Sequence, residues 1–286
     1  MSTFEKLAAI LAAVHVDPGQ RGLGRIPGDN LFTATADDFS AACHSLAAHA
    51  KKVRISTGFF IPSAIPAAYE TDGPLGAFFL EQTFHALGIC CKTVCEEPVA
   101  RAMNVCRQRC GIPISTSSTH TTASHFISIE RGGPAADGKR YTMRGADISR
   151  FLQSEFDLLP QPGVKTIGIG DGGNEIGMGK IRHETIVQNI PNGDLIHCRV
   201  PVDYLLVAGV SNWGAYALAA GLFILNGTKP PETLFDPDTE RSILESMVRE
   251  GPLVDGVSGT SSVTVDGLSW DRYVEPLNQI REIVQS

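Results

Sequence analysis

The feature that most constrains the fold is an alternation between short, wholly apolar runs and longer segments with helical periodicity. The short runs lack the every-other-residue polarity of a half-exposed strand, and this is typical of strands buried on both faces of a parallel sheet. The candidate strands are 53–57, 89–95, 125–130, 164–170 and 204–210, and two of the candidate helices between them are 74–88 and 97–111. The pattern predicts a three-layer α/β fold in which a mostly parallel central sheet carries helices on both faces.

We expect a single α/β domain over residues 1–286, because no repeat, low-complexity tract or linker divides the chain. The segment KPPETLFDPDTE separates the α/β part from a C-terminal appendage of about residues 230–286. This appendage combines a helix near 239–250, a glycine-rich stretch and a terminal helix near 270–284. At the other end, Ser2 and Glu5 fit a capping box that begins a first helix.

The amino-acid composition indicates which kinds of molecule the protein binds. The net charge of −7 and the lack of any Lys/Arg run argue against a nucleic-acid surface. The longest apolar stretch, 204–225, is broken by Ser211, Asn212 and several glycines, which argues against a membrane span. Because no Arg/Ser-rich presequence is present and the seven cysteines are an odd number, we expect a cytoplasmic protein with reduced thiols. A small-molecule substrate is therefore expected, and the sequence leaves open whether the chain forms a homo-oligomer.

The loops that follow the strands are where chemistry is expected, because ligands of parallel sheets bind beyond the carboxyl ends of the strands. One such loop contains Glu70 and Asp72 in ETDGP, and another contains Asp171 and Glu175 in GIGDGGNEIGMGK. If both loops leave the same sheet edge, four carboxylates converge on one crevice, and carboxylate oxygens suit Mg²⁺ or Mn²⁺. The alternative is that Asp72 and Asp171 cap the helices that follow them. The four acids taken together favour a metal site.

The second of these loops also contains the spacing G-x-G-x-x-G, at Gly168, Gly170 and Gly173, after a strand. That is the context of a dinucleotide-binding turn, in which bare backbone N–H groups meet a pyrophosphate. Asp171 and Glu175 in the same turn would repel a pyrophosphate. We therefore expect neither a nicotinamide nor a flavin cofactor.

Other polar residues near the strand ends are candidates for contacts with a substrate. The planar guanidinium group suits a carboxylate, so Arg131 and Arg144 are candidate clamps, whereas Arg140 is more typical of a solvated surface loop. His120 and His125 flank the segment TTAS, and each is either a general base or an ordinary hydrogen-bonded histidine. Two further candidates for binding the substrate at strand exits are Thr57 and Asn212.

Four groups of segments occur in an order that resembles the C-terminal domain of the D-glutamate cyclase family: STGFFIP with ETDGPLGA, ERGGPAADGKRYTMRGADIS, GIGDGGNEIGMGK and LLVAGVSNWGAYAL. The likeness runs from about residue 18 to at least residue 222. It implies a hydro-lyase reaction, the dehydration of D-glutamate to 5-oxo-D-proline, and hence an amino-acid carboxylate as substrate. In animal members this domain follows a separate N-terminal hydro-lyase-like domain, so the resemblance leaves open which of the two carries the cyclase activity.

The resemblance also suggests roles for the candidate residues. A divalent metal held by Glu70, Asp72, Asp171 and Glu175 would polarise the substrate's side-chain carboxylate. Arg131 or Arg144 would hold the α-carboxylate, and a donor such as Asn174 would stabilise the oxyanion. The predicted catalytic residues are Asp171, Glu175, His120 and Asn174. Two other functions fit the same acids, a metal-dependent phosphohydrolase and a non-catalytic metabolite-binding module.

Overall fold

The computed structural model describes residues 1–113 and 123–286 of the chain. Its strands are β1 (Lys52–Thr57), β2 (Phe60–Ile61), β3 (Ala68–Tyr69), β4 (Cys90–Val94), β5 (His125–Ile129), β6 (Lys165–Gly170) and β7 (Tyr204–Val207). Five of these strands form one parallel sheet in the order β4-β1-β5-β6-β7, while β2 and β3 form a separate antiparallel ribbon. The predicted three-layer α/β fold is confirmed.

The helices lie between and after the strands. They are α1 (Thr3–Val14), α2 (Leu31–Ala34), α3 (Asp38–His49), α4 (Pro74–Ala86), α5 (Glu97–Cys110), α6 (His183–Asn189), α7 (Gly193–Ile196), α8 (Ser211–Asn226), α9 (Pro237–Arg249) and α10 (Trp270–Gln285). The predicted capping box begins α1, because Ser2 and Glu5 exchange hydrogen bonds with each other's backbone N–H groups. Within the described ranges, none of the helices combines the length and hydropathy needed to cross a membrane.

The two faces of the sheet carry different layers. Successive side chains of a strand point to opposite faces, so Leu206 of β7 joins the larger core and its neighbours Leu205 and Val207 join a smaller one. The larger core lies under α1, α3, α4, α5, α8, α9 and α10, and α8 is buried from Ser211 to Phe223 because helices surround it. The smaller core is covered by α2, α6, α7 and loops.

The order of the strands fixes where a ligand can bind. From β1 the chain crosses to β4 on one side of the sheet and then returns to β5 on the other side. Such a reversal leaves a crevice at the carboxyl ends of the two diverging strands, here β1 and β5. The loops that follow β1, β5, β6 and β7 all leave the sheet at this edge.

The C-terminal segment packs into the same structure. Ile243 of α9 and Leu277 of α10 belong to the larger core together with Ile55 of β1. The glycine-rich stretch lies along the chain before α4, where Thr71 donates its backbone N–H to the carbonyl of Val254 at 2.9 Å. The stretch predicted as an appendage therefore reaches the carboxyl edge of the sheet.

Candidate active site

Buried carboxylates converge at the carboxyl edge of the sheet. This group, here named the acidic cluster, consists of Glu70, Asp72, Glu130, Asp171, Glu175 and Asp266. The first two follow β3, in the connection from β1 to α4, whereas Glu130 follows β5, and Asp171 and Glu175 follow β6. Asp266 comes from the C-terminal glycine-rich stretch. The two predicted acidic loops do meet at one edge, and two acids that the sequence analysis missed, Glu130 and Asp266, join them.

The acidic cluster contains two overlapping groups of three residues. The first lobe is formed by Asp72, Asp171 and Asp266, and the second lobe by Glu130, Asp171 and Glu175. Within each lobe, one carboxylate oxygen from every residue lies within 4.8 Å of the others, so a single cation could contact all three. Asp171 belongs to both lobes. Glu70 is buried close to Asp72 and Asp266 but belongs to neither lobe.

The guanidinium group of Arg21 forms ion pairs with two acids of the first lobe. Its Nη1 lies 2.6 Å from Asp171 Oδ2 and its Nη2 lies 2.9 Å from Asp266 Oδ2. The carboxylate of Asp17 fixes this segment by accepting the backbone N–H groups of Arg21 and Gly22 at 2.9 and 2.8 Å. Burial alone would lower the pKa of Arg21, but Asp171 and Asp266 raise it well above its ordinary value. The guanidinium group therefore stays charged.

Asp72 and Asn212 cap each other's helices. Asp72 Oδ2 accepts the backbone N–H of Ser211 at 2.9 Å and Oδ1 accepts that of Asn212 at 2.8 Å, at the beginning of α8. In return, Asn212 Oδ1 accepts the backbone N–H groups of Gly73 and Gly76 at 2.9 and 2.7 Å, at the beginning of α4. Asp72 thus caps α8, and its Oδ1 also accepts the backbone N–H of Gly73, directly before the helix that follows it, at 3.0 Å. The amino-terminal ends of α4 and α8, which carry partial positive charge, therefore face the acidic cluster.

The loop after β6 folds back so that its two acids lie side by side. Glu175 accepts the backbone N–H of Asp171 at 3.0 Å and that of Gly173 at 2.8 Å. Gly172 allows this turn, because a Cβ atom there would lie only 2.6 Å from Asn174 Oδ1 and 2.9 Å from Glu175 Oε1. The glycines of this loop let the backbone pack closely against its acids.

Glu130 completes the second lobe from the end of β5. Its φ of 42° lies in the left-handed region that residues with a Cβ rarely adopt, and such strain is often retained at functional sites. Its Oε2 accepts the hydroxyl proton of Ser211 at 2.6 Å. The one sign of this residue in the sequence is a charge that ends the otherwise apolar run HFISIE.

Burial raises the pKa of the carboxyl groups in the acidic cluster. It is the largest cause for Glu70, Glu130 and Asp171, whose pKa values lie well above the ordinary range, and neighbouring acids add to the effect. Burial, followed by repulsion from Asp266, raises the pKa of Asp72 to about 7. A cluster of this kind is costly unless protons or a further cation compensate its charge.

Several buried polar atoms of the site have no hydrogen-bond partner among the described residues. They are Asp171 Oδ2, Asp266 Oδ2, Asn174 Oδ1 and Thr57 Oγ1. The two aspartate oxygens meet Arg21 at ion-pair distance without the alignment of a hydrogen bond. Because buried polar atoms are normally satisfied, the other two, Asn174 Oδ1 and Thr57 Oγ1, indicate a ligand. All four atoms are oxygens, the donors that suit Mg²⁺, Mn²⁺ or Ca²⁺, so the residues fit a divalent cation.

The predicted arginine clamps do not contact the acidic cluster. Arg131 is fully buried, with Nη1 2.7 Å from Glu96 and Nε 3.2 Å from Asp157. Arg140, expected on a solvated surface, is instead buried and also pairs with Asp157, at 2.5 Å. Arg144 is exposed on the loop between β5 and β6. Their roles in substrate binding stay predictions.

Of the two candidate histidines, the described residues include His125 alone, and it does not lie at the acidic cluster. His120 lies outside the described residues. His125 begins β5 and so lies at the opposite end of that strand from Glu130, about 16 Å away at the usual rise per residue. Its Nε2 lies 3.1 Å from Ser45 Oγ of α3. His125 therefore has the contacts of an ordinary hydrogen-bonded histidine.

Comparison with known proteins shows which family the chain belongs to. The family model described as D-glutamate cyclase-like, C-terminal, matches residues 10–281. The chain is also 31% identical over 335 aligned residues to human D-glutamate cyclase, whose name places it in mitochondria. That alignment covers 99% of this chain and 52% of the human protein, so the chain spans about half the length of this curated relative. The cytoplasmic location expected from the sequence stays a prediction.

Among solved structures, RecJ from Thermus thermophilus in complex with Mn²⁺ aligns with a TM-score of 0.35 and 14% sequence identity. The alignment covers 86% of this chain and 30% of the RecJ chain. A likeness of this size carries no argument about the fold or the function.

Proposed function

The chain belongs to the D-glutamate cyclase-like C-terminal family, and on that premise we propose that it cyclises D-glutamate to 5-oxo-D-proline with loss of water. The observation that supports this most is the position of the acidic cluster. It lies at the crevice where parallel α/β proteins bind ligands, and all of its members fall inside the matched range 10–281.

The reaction joins the two ends of one substrate molecule. The amine nitrogen attacks the side-chain carboxyl carbon, the C–N bond forms, and one carboxyl oxygen leaves as water with two protons from the ammonium group. The amine must therefore lose protons inside the site, and a carboxylate is a poor electrophile until its charge is neutralised. Proton acceptors, a positive field and a fixed substrate rotamer are what this chemistry requires.

The described residues offer each of these. The carboxylates of the acidic cluster can accept a proton from the amine. Arg21 and the amino ends of α4 and α8 supply positive charge at the same edge of the sheet. Thr57 Oγ1, which has no partner among the described residues, can accept a hydrogen bond from the substrate's ammonium group.

A divalent cation is the second part of the proposal. The residues that would hold it are in the acidic cluster, and when bound it would act as a Lewis acid on the substrate's side-chain carboxylate. Acidic residues alone bind an anionic substrate poorly, because like charges repel. Arg21 and the cation together would make the crevice accept a dicarboxylate.

The test is a turnover assay on chelator-treated protein, with and without added Mn²⁺ or Mg²⁺. Conversion of D-glutamate to 5-oxoproline that requires metal and is lost in Asp171→Asn supports the proposal. Release of phosphate from a generic ester without cyclisation would identify a phosphohydrolase instead. Saturable binding of D-glutamate with no turnover under any metal would indicate a binding module.

A further inference from the structure

The two lobes of the acidic cluster differ in how their charge is compensated. In the first lobe, Arg21 already contacts Asp171 and Asp266, at 2.6 and 2.9 Å. In the second lobe, neither Glu130 nor Glu175 takes part in an ion pair with a basic side chain of the described residues. Their bonds are to neutral donors, the Ser211 hydroxyl and backbone N–H groups. The charge of these two glutamates is therefore not balanced by a basic side chain of the described residues.

A separate observation indicates a ligand at the second lobe. Asn174 is 1% exposed, and its Nδ2 donates to the carbonyl of Tyr141 at 2.7 Å, which fixes the orientation of the amide group. Its Oδ1 is left without a partner. This oxygen and Glu175 Oε1 border the same point beside Gly172. A buried amide oxygen held next to the lobe's carboxylates is a neutral fourth donor of the kind that hard divalent cations use.

We propose that the acidic cluster binds one divalent cation, in the second lobe, and that the guanidinium group of Arg21 takes the place of a second cation in the first lobe. The assignment rests on the proposed function in taking the acidic cluster as the active site. Its ligands are Glu130, Asp171 and Glu175, with Asn174 beside them. This set differs from the one predicted from the sequence, which contained Glu70 and Asp72.

The arrangement gives the two lobes different properties. Arg21 is part of the chain, and Asp17 fixes its backbone. Unlike a dissolved ion, its positive charge therefore stays in the first lobe at any metal concentration. The second lobe depends on the concentration of free cation. Asp171 is shared by both lobes, so it couples the guanidinium group to the metal.

The test counts bound metal on the purified full chain. Chelator-treated protein is dialysed to equilibrium against Mn²⁺, bound Mn²⁺ is measured per chain, and the electron paramagnetic resonance spectrum is recorded. We expect one Mn²⁺ per chain with the spectrum of an isolated ion. Glu130→Gln should weaken binding by at least about tenfold, a loss typical of even an outer-shell partner. Asp266→Asn should keep the ion.

Substitutions at Arg21 test the other half of the proposal. Arg21→Gln removes the cation of the first lobe, so we expect a second Mn²⁺ per chain and a spectrum that shows magnetic coupling between the two ions. Arg21→Lys retains a positive charge and should stay at one Mn²⁺ per chain. Glu240→Gln is the matched control, because Glu240 is a buried acid outside the acidic cluster and its removal should leave the count unchanged.

Three results would overturn the proposal: two Mn²⁺ per chain in the parent protein, loss of the ion in Asp266→Asn but not in Glu130→Gln, or no bound Mn²⁺ at all. If Arg21→Gln does not fold, the comparison of Glu130→Gln with Asp266→Asn decides the location of the ion. Turnover of D-glutamate, measured on the same samples, separates this proposal from the proposed function. Turnover with two ions would retain the function alone, and one ion without turnover would retain the metal assignment alone.

Discussion

Two buried networks of charge lie behind neighbouring strand exits, and they differ in balance. In the paired network, formed by Arg131, Arg140, Glu96 and Asp157, each guanidinium group faces a carboxylate at 2.5–3.2 Å. Arg131 also donates to the carbonyl of Gln153 at 2.7 Å. In the acidic cluster, by contrast, the ion pairs of the described residues give six buried carboxylates one guanidinium group, that of Arg21.

The difference shows that burial of charge does not by itself indicate a functional site. A balanced network satisfies its own hydrogen bonds, and removing one member leaves an uncompensated charge, so its role is structural. An unbalanced network contains carboxylates without a counter-charge. A ligand of opposite charge therefore stabilises it more than it stabilises a balanced network. The balance of charge, and not the presence of arginine or aspartate, distinguishes the two regions.

The largest effect is expected from Asp171→Asn, which removes the acid common to both lobes. Turnover of D-glutamate should fall by about 10⁴-fold, or about 5.4 kcal/mol of activation free energy, because the lobes lose their shared ligand. The free energy of unfolding of the metal-free protein should change by less than about 1 kcal/mol, since the lost pair with Arg21 is offset by weaker repulsion among the acids. Kinetics and denaturant unfolding measure the two quantities. Asp194→Asn, at a carboxylate 86% exposed, is the control.

Arg131→Met should have the opposite effects to those of Asp171→Asn, with a large change in the free energy of unfolding. It leaves Glu96 buried without its basic partner and leaves Asp157 with Arg140 alone, so we expect the free energy of unfolding to fall by about 4 kcal/mol. Denaturant unfolding measures this, and Arg101→Met, at an arginine 55% exposed, should change it by less than about 0.5 kcal/mol. A stable Arg131→Met variant that has lost only its affinity for D-glutamate would instead make Arg131 the substrate clamp predicted from the sequence.

Added metal should stabilise the acidic cluster and leave the paired network unaffected. At a free Mn²⁺ concentration about 100 times its dissociation constant, the free energy of unfolding should rise by about 2.7 kcal/mol. The rise should disappear in Glu130→Gln, because that variant lacks a ligand of the second lobe. An equal rise in the variant would mean that the ion binds elsewhere.

The smallest effect is expected at Glu240, a buried acid that belongs neither to the paired network nor to the acidic cluster. Glu240 is 2% exposed, has no basic partner among the described ion pairs, and accepts a hydrogen bond from Tyr216. Burial raises its pKa from the ordinary value of 4.5 to about 8. The folded protein therefore holds a proton that the unfolded chain releases above pH 4.5, so this stabilising contribution is present at low pH and is lost as the pH rises to about 8.

Between these two pH values, the free energy of unfolding should fall by about 1.4 kcal/mol per pH unit more in the parent protein than in Glu240→Gln. Unfolding of both proteins across this range, at fixed ionic strength, measures the difference. Parallel pH profiles would show that Glu240 is ionised in the folded state and that tyrosine hydroxyls suffice to hold a buried negative charge.

The fold, and the sheet edge at which the acidic cluster gathers, could be predicted from the sequence. The apolar runs at β1, β5, β6 and β7 identify strands buried on both faces, and the loops after such strands must leave at one edge. The motifs in those loops gave the family, which the match over residues 10–281 confirms. These conclusions depend on local pattern, because strand burial and loop composition are properties of contiguous residues.

Only the tertiary structure decided which charges belong together. Arg21 lies after α1 and Asp266 near the end of the chain, and neither segment carries a pattern that links it to the loop after β6. Nor does any local spacing distinguish Arg131, whose charge the paired network compensates, from Arg21, which the acids surround. The physical reason is that an ion pair depends on a distance of a few ångströms between atoms that the fold brings together, and sequence separation does not determine that distance.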